Sequence, residues 1–184
     1  MIKKNMIVLI SFFFLFQNNA VFSQGNIIKW DKDILLSWND FNEKKGAKVA
    51  YSAIAIKLKP LVSTTKRIKL SIYAYFDMSK SITGIYDDDV LNHEQFHFLI
   101  GELFARKLKK KILSVPKNIF FNDRTQFEVV YKENYEAYLS YQKKYDEETF
   151  YSVDKKAQIN WEIKIIKELK EYHKYSNLII DLIK

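Results

Sequence analysis

The 184-residue chain has no cysteine, only four glycines and two prolines, and only three histidines. The absence of cysteine excludes a disulfide framework, a thiolate metal site and a cysteine nucleophile, so a transition metal would have to be held by histidine and carboxylate ligands. Because 48% of the residues are hydrophobic, the composition also excludes a disordered tail or a low-complexity array. The length is typical of one domain with a sizeable core.

The N-terminal segment has the pattern of a secretory signal peptide. Lys3 and Lys4 precede an apolar run at 6–16, and a polar stretch with small residues follows. We therefore expect residues 1–23 to be removed between Ser23 and Gln24, leaving 24–184 as a single domain that is exported to the periplasm or secreted. The apolar run is shorter than the roughly 20 residues that span a bilayer, so no permanent membrane anchor is expected.

The net charge of +8 does not by itself identify a partner. Lysines at 107 and 109–111 form the densest basic cluster. They lie where a helix is predicted to end, and their positive charges stabilise the negative end of its dipole. No arrangement of basic and aromatic residues is typical of a nucleic-acid motif, so no nucleic-acid partner is expected.

The period of the hydrophobic residues changes once along the chain. Alternation at 48–58 and 67–76 predicts two strands joined by a connection at 60–66, and a short strand is possible at 34–38. Helical spacing then predicts helices at about 89–113, from about 122, and at about 154–182. Strands followed by helices favour an α+β fold, in which an N-terminal antiparallel or mixed sheet precedes an active-site helix and two further helices.

The residue pattern that indicates chemistry is His-Glu-Gln-Phe-His at 93–97. On a helix, His93 and His97 lie one turn apart on the same face and can bind one ion, which Glu94 then flanks as a general base. At this composition the pattern is expected by chance roughly 0.003 times, so it is informative. The alternative is that two half-buried histidines only form hydrogen bonds within the core.

A catalytic zinc usually has three protein ligands, so a third is needed. If the second helix packs antiparallel to the first, its C-terminal half returns to the level of the histidines. Glu148 continues the stripe of Tyr141 and Tyr145 and is the predicted third ligand. His173, with charged neighbours, is the other candidate and is expected to be exposed. The remaining acidic residues of this window are Glu136, Asp146 and Glu147.

Three blocks of sequence resemble a bacterial family of uncharacterised, predicted secreted zinc-dependent peptidases in the zincin superfamily. The central block is Leu-Asn-His-Glu-Gln-Phe-His-Phe at 91–98, with Glu102 and Ala-Arg at 105–106 downstream. The outer blocks are Leu-Ser-Trp-Asn-Asp-Phe at 36–41 and Tyr-Asp-Glu-Glu-Thr at 145–149, the latter followed by Gln158 and Trp161. The resemblance implies a zincin-like domain with one Zn²⁺, His93 and His97 as ligands, Glu94 as general base, and the 145–149 block near the metal.

The chain departs from the family pattern at two positions. A His-Gly pair commonly follows Glu-Thr in the family, where this chain has Tyr151 and Ser152 nearby, and Leu99 stands where the family often has an acid. Tyr151 could instead donate a hydrogen bond to an oxyanion. The hypothesis is therefore an exported zinc metallopeptidase that acts on a peptide or protein substrate. The alternatives are a non-catalytic exported binding module on a zincin scaffold and a basic protein that binds acidic glycans or membranes.

Overall fold

The computed structural model describes residues 26–184, so the predicted signal peptide at 1–23 lies outside the described residues. The predicted α+β class is confirmed. In chain order the elements are β1 (Ile27–Lys29), β2 (Asn42–Glu43), β3 (Ala50–Tyr51), β4 (Ile54–Ser63), β5 (Arg67–Asp77), β6 (Ile82–Thr83), α1 (Asp88–Ser114), α2 (Lys117–Asn122), α3 (Gln126–Glu148), α4 (Lys155–Glu171) and β7 (Ile179–Ile183). Within 26–184, no helix has the length and apolar character needed to cross a membrane.

Strand β5 is the centre of the larger, fully antiparallel sheet. One of its edges pairs with β4, and the other pairs with β7 near its start and with β1 near its end. Alternate residues of β5 are buried against the helices, as the predicted strand at 67–76 requires; they are Ile68, Leu70, Ile72, Ala74 and Phe76. The long hairpin predicted for this region is confirmed.

The predicted strand at 48–58 is divided into two strands that belong to different sheets. Strand β3 joins a small mixed sheet with β6 and β2, whereas β4 begins at Ile54 and runs through Pro60 to Ser63. At the break, the N–H of Ala53 donates to the Ser81 hydroxyl at 2.9 Å instead of to a neighbouring strand. The break frees the side chain of Ser52 to point at α1, where it donates to Glu94.

The strand predicted at 34–38 is not formed. This segment is irregular and ends in a single 3-10 turn at Trp38–Asp40. The Leu36 N–H donates to the side chain of Gln95 on α1 at 2.7 Å, so its hydrogen bond is used to attach the segment to α1 rather than to pair with a strand.

Helix α1 lies across the larger sheet and agrees with the predicted 89–113 within a residue at each end. Asp87 caps it by accepting hydrogen bonds from the N–H groups of Asp89 and Val90. Gly101 faces the sheet, where a Cβ atom would lie 2.8 Å from Ile54 and 3.3 Å from Ala74. The absence of a side chain at this position therefore allows the helix to approach the strands closely.

Helices α3 and α4 flank α1 with opposite directions. Along α3 the contacts run backwards, from Asp146 beside His93 to Asn134 beside Phe104, so α3 is antiparallel to α1 as predicted. Along α4 they run forwards, with Gln158 beside His93 and Glu168 beside Lys107. Pro116 ends the α1 segment, and the short helix α2 separates it from α3, which starts at Gln126 rather than near 122.

The helix predicted at 154–182 is too long, and the prediction of two further helices is wrong because α2, α3 and α4 all follow α1. Helix α4 ends at Glu171, and β7 then returns to the larger sheet beside β5. Asp181 of β7 makes a two-pronged ion pair with Arg67, at 2.9 and 2.6 Å. A short apolar run such as 178–183 has no period that distinguishes a strand from a helix end, which explains the error.

Candidate metal centre

The two histidines of the His-Glu-x-x-His pattern lie together on α1, facing α3. Both side chains are largely shielded from solvent, and their Nε2 atoms are 3.1 Å apart. The ring of His93 stacks on the ring of Tyr145, with centroids 4.4 Å apart and a 14° angle between the planes. Packing against this tyrosine restricts the rotation of the His93 ring.

Asp146 of α3 completes a group of three side chains. Its Oδ1 atom lies 3.1 Å from Nε2 of His93 and 2.8 Å from Nε2 of His97. These three atoms are close enough together to hold a metal ion.

Glu148, the predicted third ligand, is not part of this group. Its carboxylate accepts a hydrogen bond from the Trp161 indole N–H at 2.9 Å and lies 3.5 Å from Lys144. The structure thus corrects the choice of third residue from Glu148 to Asp146, two positions earlier.

The helical period explains this correction. The buried residues of α3 include Tyr138, Tyr145 and, just past the helix end, Thr149, which form one stripe facing the core. At about 100° per residue, Asp146 and Glu148 flank this stripe on opposite sides, roughly 160° apart. The histidines of α1 lie on the Asp146 side and Trp161 of α4 lies on the Glu148 side, a difference that periodicity cannot show.

Glutamine side chains orient both imidazole rings. Oε1 of Gln158 lies 3.0 Å from Nδ1 of His93, and Oε1 of Gln142 lies 2.7 Å from Nδ1 of His97. If these oxygens accept hydrogen bonds, each Nδ1 carries a proton and each neutral ring presents the lone pair of Nε2 to Asp146.

The surroundings of Gln158 determine which way its amide points. Its Nε2 group lies 3.0 Å from Glu162 Oε1 and 2.7 Å from the Tyr145 hydroxyl, which itself donates to the carbonyl of His93. A carboxylate only accepts hydrogen bonds, so the NH₂ group must face Glu162 and the amide oxygen must face His93.

The same reasoning applies to Gln142. Its Nε2 group lies 2.9 Å from the hydroxyl of Tyr138, and that hydroxyl donates to the Ile54 carbonyl at 3.1 Å. The hydroxyl oxygen is therefore the acceptor for Gln142, and the amide oxygen faces His97. Sequence reasoning did not single out Gln142, although it lies four residues before Asp146 and hence on the same side of α3.

The electrostatics of the group reflect three converging acceptors. Burial alone would lower the pKa of His97, but the adjacent Asp146 carboxylate outweighs it and raises that pKa to about 9. Burial opposes ionisation of Asp146, yet the two imidazoles hold its pKa below the usual range. In the absence of a metal ion, the site therefore binds a proton between His97 and Asp146.

The donor set fits a small divalent cation. An ion with bonds of about 2.0–2.1 Å and tetrahedral geometry separates its ligand atoms by roughly 3.3 Å, close to the spacing of the three atoms described above. Two imidazole nitrogens and one carboxylate oxygen suit zinc and other divalent first-row metals. The two amide oxygens supply the outer hydrogen bonds that orient metal-binding imidazoles.

Glu94 lies next to this group and is buried. Ser52 donates a hydrogen bond to its Oε2 atom, and no hydrogen bond within residues 26–184 reaches Oε1. The carboxylate is close enough to His97 to contribute to the rise in the histidine's pKa. Glu94 is thus held through one of its two carboxylate oxygens.

The remaining sequence candidates, Tyr151 and His173, do not belong to the group of His93, His97 and Asp146. The Tyr151 ring is exposed, and in the described part of the chain its hydroxyl makes no hydrogen bond to His93, His97 or Asp146; its backbone N–H donates to the Asp146 carbonyl at 2.9 Å. The oxyanion role of Tyr151 therefore stays a prediction without support from this geometry. His173 is exposed, as expected.

Comparisons with known proteins add no further evidence. No protein-family model matches the chain, and no curated protein or solved structure matches it with significance.

Proposed function

We propose that the protein is an exported zinc-dependent peptidase with a zincin-like active site, in which His93, His97 and Asp146 hold one Zn²⁺ and Glu94 is the general base. The observation that carries this proposal is the convergence of three acceptor atoms within 3.1 Å of one another. Two glutamines keep the imidazole lone pairs directed at this point. Such an arrangement is stable with a cation or a bound proton, and a cation satisfies all three acceptors.

A zinc ion bound here supplies a Lewis acid, which polarises a carbonyl group and lowers the pKa of a water molecule. The other functions belong to side chains of this chain. Ser52 holds Oε2 of Glu94, so Oε1 is the atom that accepts a proton from water and later gives it to the leaving amine. Gln158 and Gln142 keep the histidines in the tautomer that binds metal.

Peptide bonds are the substrate class that this constellation favours. The pattern His-Glu-x-x-His on a helix combines two ligands with an adjacent carboxylate, which is the arrangement needed to activate water for attack on an amide carbonyl. Zinc is the ion proposed because the two histidines and the adjacent Glu94 form the His-Glu-x-x-His pattern, which typically binds zinc with the glutamate as general base.

Metal analysis of Asp146→Asn and Glu148→Gln tests the ligand set. Purified wild-type protein should retain about one zinc per chain, Asp146→Asn should lose most of it, and Glu148→Gln should keep it. If Glu148→Gln loses zinc and Asp146→Asn retains it, the assignment of Asp146 is wrong.

Glu94→Gln tests the catalytic part of the proposal. The variant should keep its zinc, because Glu94 is not a ligand, but it should lose hydrolysis of an unfolded protein substrate by at least about 100-fold. Ser52→Ala provides a milder companion, with a smaller loss because it removes only the hydrogen bond to Oε2. Hydrolysis by Glu94→Gln at the wild-type rate would refute the role of this residue.

The position of Tyr151 favours one second candidate, a non-catalytic exported binding module that retains the metal. In the described part of the chain its hydroxyl makes no hydrogen bond to His93, His97 or Asp146, so this position gives no support to an oxyanion role for Tyr151. This candidate predicts zinc binding without hydrolysis of any peptide, so the same two measurements distinguish it from the peptidase.

A further inference from the structure

The outward side of α4 carries an apolar stripe that no described residue covers. Ile159, Ile163 and Ile166 have spacings of four and three residues, so they form one row along the helix. Their exposed fractions are 55%, 61% and 43%. The opposite side of the helix holds the buried residues Gln158, Trp161 and Ile165, which already attach α4 to the core.

The turn before α4 also carries exposed apolar side chains. Phe150, Tyr151 and Ser152 have φ angles of 52°, 55° and 72°, in the left-handed region that residues other than glycine rarely adopt. Hydrogen bonds from Tyr151 N–H to the Asp146 carbonyl and from Asp154 N–H to the Thr149 carbonyl, both 2.9 Å, close the turn. The closed turn buries Ser152 and directs the side chains of its neighbours into solvent.

We call the following six side chains the α4 apolar face. They are Phe150, Tyr151, Val153, Ile159, Ile163 and Ile166, and all are exposed. They fall within 17 consecutive residues. The turn at 150–152 presents the first three of these side chains. It retains a left-handed backbone that costs about 1 kcal/mol or more per residue.

Lysines surround this face. At about 100° per residue, Lys155, Lys156, Lys167 and Lys170 all lie within roughly 80° of the isoleucine row. Lys155 pairs with Asp89, while in the part of the chain that the structure describes no ion pair involves Lys156, Lys167 or Lys170.

Helix α4 has three acids, Glu162, Glu168 and Glu171, and in the described part of the chain none of them forms an ion pair with these lysines. Glu162 accepts hydrogen bonds from Asn92 and Gln158, and Glu168 accepts from Lys107 and Tyr141, so both carboxylates are directed back towards the protein. The outward side of α4 is thus both apolar and positively charged.

We propose that the α4 apolar face docks the protein on an anionic lipid bilayer surface. A helix that lies in the bilayer interface inserts an apolar row among the acyl chains while flanking lysines reach the anionic headgroups. Lysine side chains can extend along the apolar row with their charged ends in the headgroup layer. An apolar row flanked by lysines without ion pairs matches the layered chemistry of an anionic bilayer, in which acyl chains lie beneath charged headgroups, and this favours lipid over an acidic protein partner.

Docking by this face would place the metal centre close to the membrane. Gln158, on the inner side of the same helix, lies 3.0 Å from His93, so only the thickness of α4 separates the ligand from the docked surface. The proposal does not depend on the peptidase function, because binding to lipid requires neither metal nor catalysis.

Vesicle sedimentation tests the proposal with the full chain, purified as the expressing cell processes it. Wild-type protein should sediment with vesicles of phosphatidylcholine and phosphatidylglycerol but weakly with pure phosphatidylcholine. Replacing Ile159, Ile163 and Ile166 together by serine should reduce the binding constant by more than about tenfold, since much of the apolar row is lost. Isoleucine and serine have similar helix propensities, so α4 should remain folded.

Matched variants test whether the loss of any three exposed apolar side chains, or only of those on α4, weakens vesicle binding. Serine at Leu113, Val129 and Leu139 removes three exposed apolar residues from α1 and α3 and should leave vesicle binding unchanged. Glutamine at Lys156, Lys167 and Lys170 should weaken binding to the anionic vesicles and reduce its dependence on salt.

A single fluorescent label gives a reading that the N-terminal apolar run cannot produce. Because the chain has no cysteine, Ile163→Cys and Val129→Cys can each be labelled at one position with an environment-sensitive dye. A blue shift on anionic vesicles at 163 but not at 129 supports docking by α4. The proposal is overturned if the label at 163 shows no shift, if the triple serine variant binds like wild type, or if only an acidic protein, and no vesicle, captures the chain.

Discussion

Replacing Gln158 by leucine should weaken zinc binding without removing any of the three ligands. Leucine approximates the volume of glutamine but cannot accept the hydrogen bond from Nδ1 of His93, which spans 3.0 Å. The ring would then be free to place its proton on Nε2, the atom that faces Asp146 and His97. A neutral histidine protonated there cannot bind a metal ion through that nitrogen.

The size of the effect follows from what the amide contributes. Loss of an outer hydrogen bond to a metal-binding histidine typically lowers metal affinity about 10- to 100-fold, equivalent to roughly 1.4–2.7 kcal/mol. The same substitution leaves the Tyr145 hydroxyl without its 2.7 Å donor and the buried Nδ1 atom of His93 without its partner. The free energy of unfolding should therefore also fall, by about 1–3 kcal/mol.

Competition titration with a zinc chelator, at a temperature where both proteins are folded, measures the affinity. Nitrogen-15 NMR of the imidazoles reports the tautomer directly, and wild-type His93 should carry its proton on Nδ1. Asn134→Leu is the matched control, because Asn134 is a buried amide that donates to the Phe104 carbonyl at 3.1 Å and lies outside the metal group.

The two outcomes are distinct. Asn134→Leu should reduce stability but leave the zinc affinity unchanged, whereas Gln158→Leu should reduce both. Gln142→Leu should resemble Gln158→Leu, with the tautomer change at His97 instead. If Gln158→Leu binds zinc within about twofold of wild type and His93 keeps its tautomer, the role of the glutamine as a positioning residue is refuted.

Three further predictions follow from charge and packing. The pKa of His97 is raised to about 9 in the metal-free site, so zinc binding near pH 7.5 should release about one proton per ion. Calorimetry in buffers of different ionisation enthalpy measures this release. Zero release would contradict the proton bound between His97 and Asp146. Burial raises the pKa of Glu102 to about 7 despite the opposing Arg106. The folded state therefore keeps a proton on Glu102 that the unfolded chain loses, and the stability from this group is lost as the pH rises from about 4.5 to 7. In denaturant titrations, Glu102→Gln should remove the part of the decline in unfolding free energy that Glu102 causes over this range. Gly101→Val should lower the free energy of unfolding by about 1–3 kcal/mol, since a Cβ atom already lies 2.8 Å from Ile54, and an unchanged melting temperature would show that α1 can move away from the sheet.

The sequence alone determined those features of the fold that depend on one helix or strand and not on its neighbours. The alternation along β5 and the long helical pattern of α1 each correspond to one buried face, and a buried face is what periodicity reports. For the same reason the sequence placed His93 and His97 on one side of α1, with Glu94 beside them. The spacing within one helix requires no knowledge of its neighbours.

Tertiary structure decided whatever depends on which neighbour an element meets. Asp146 and Glu148 flank the same buried stripe of α3, and only the positions of α1 and α4 determine that one meets the histidines and the other meets Trp161. Likewise, the run at the C-terminus becomes β7 because the edge of β5 offers it hydrogen-bonding partners, such as Asp181 opposite Lys69.

The difference between what the sequence shows and what only the folded structure shows has a physical reason. A pattern within one segment reports how much of each face is buried, because burial recurs with the period of the helix or strand. It does not report what covers that face. The meeting of Asp146 with the two histidines, the direction of the Gln158 amide and the link from Ser52 to Glu94 each arise from contacts between segments distant in the chain, and so they required the folded structure.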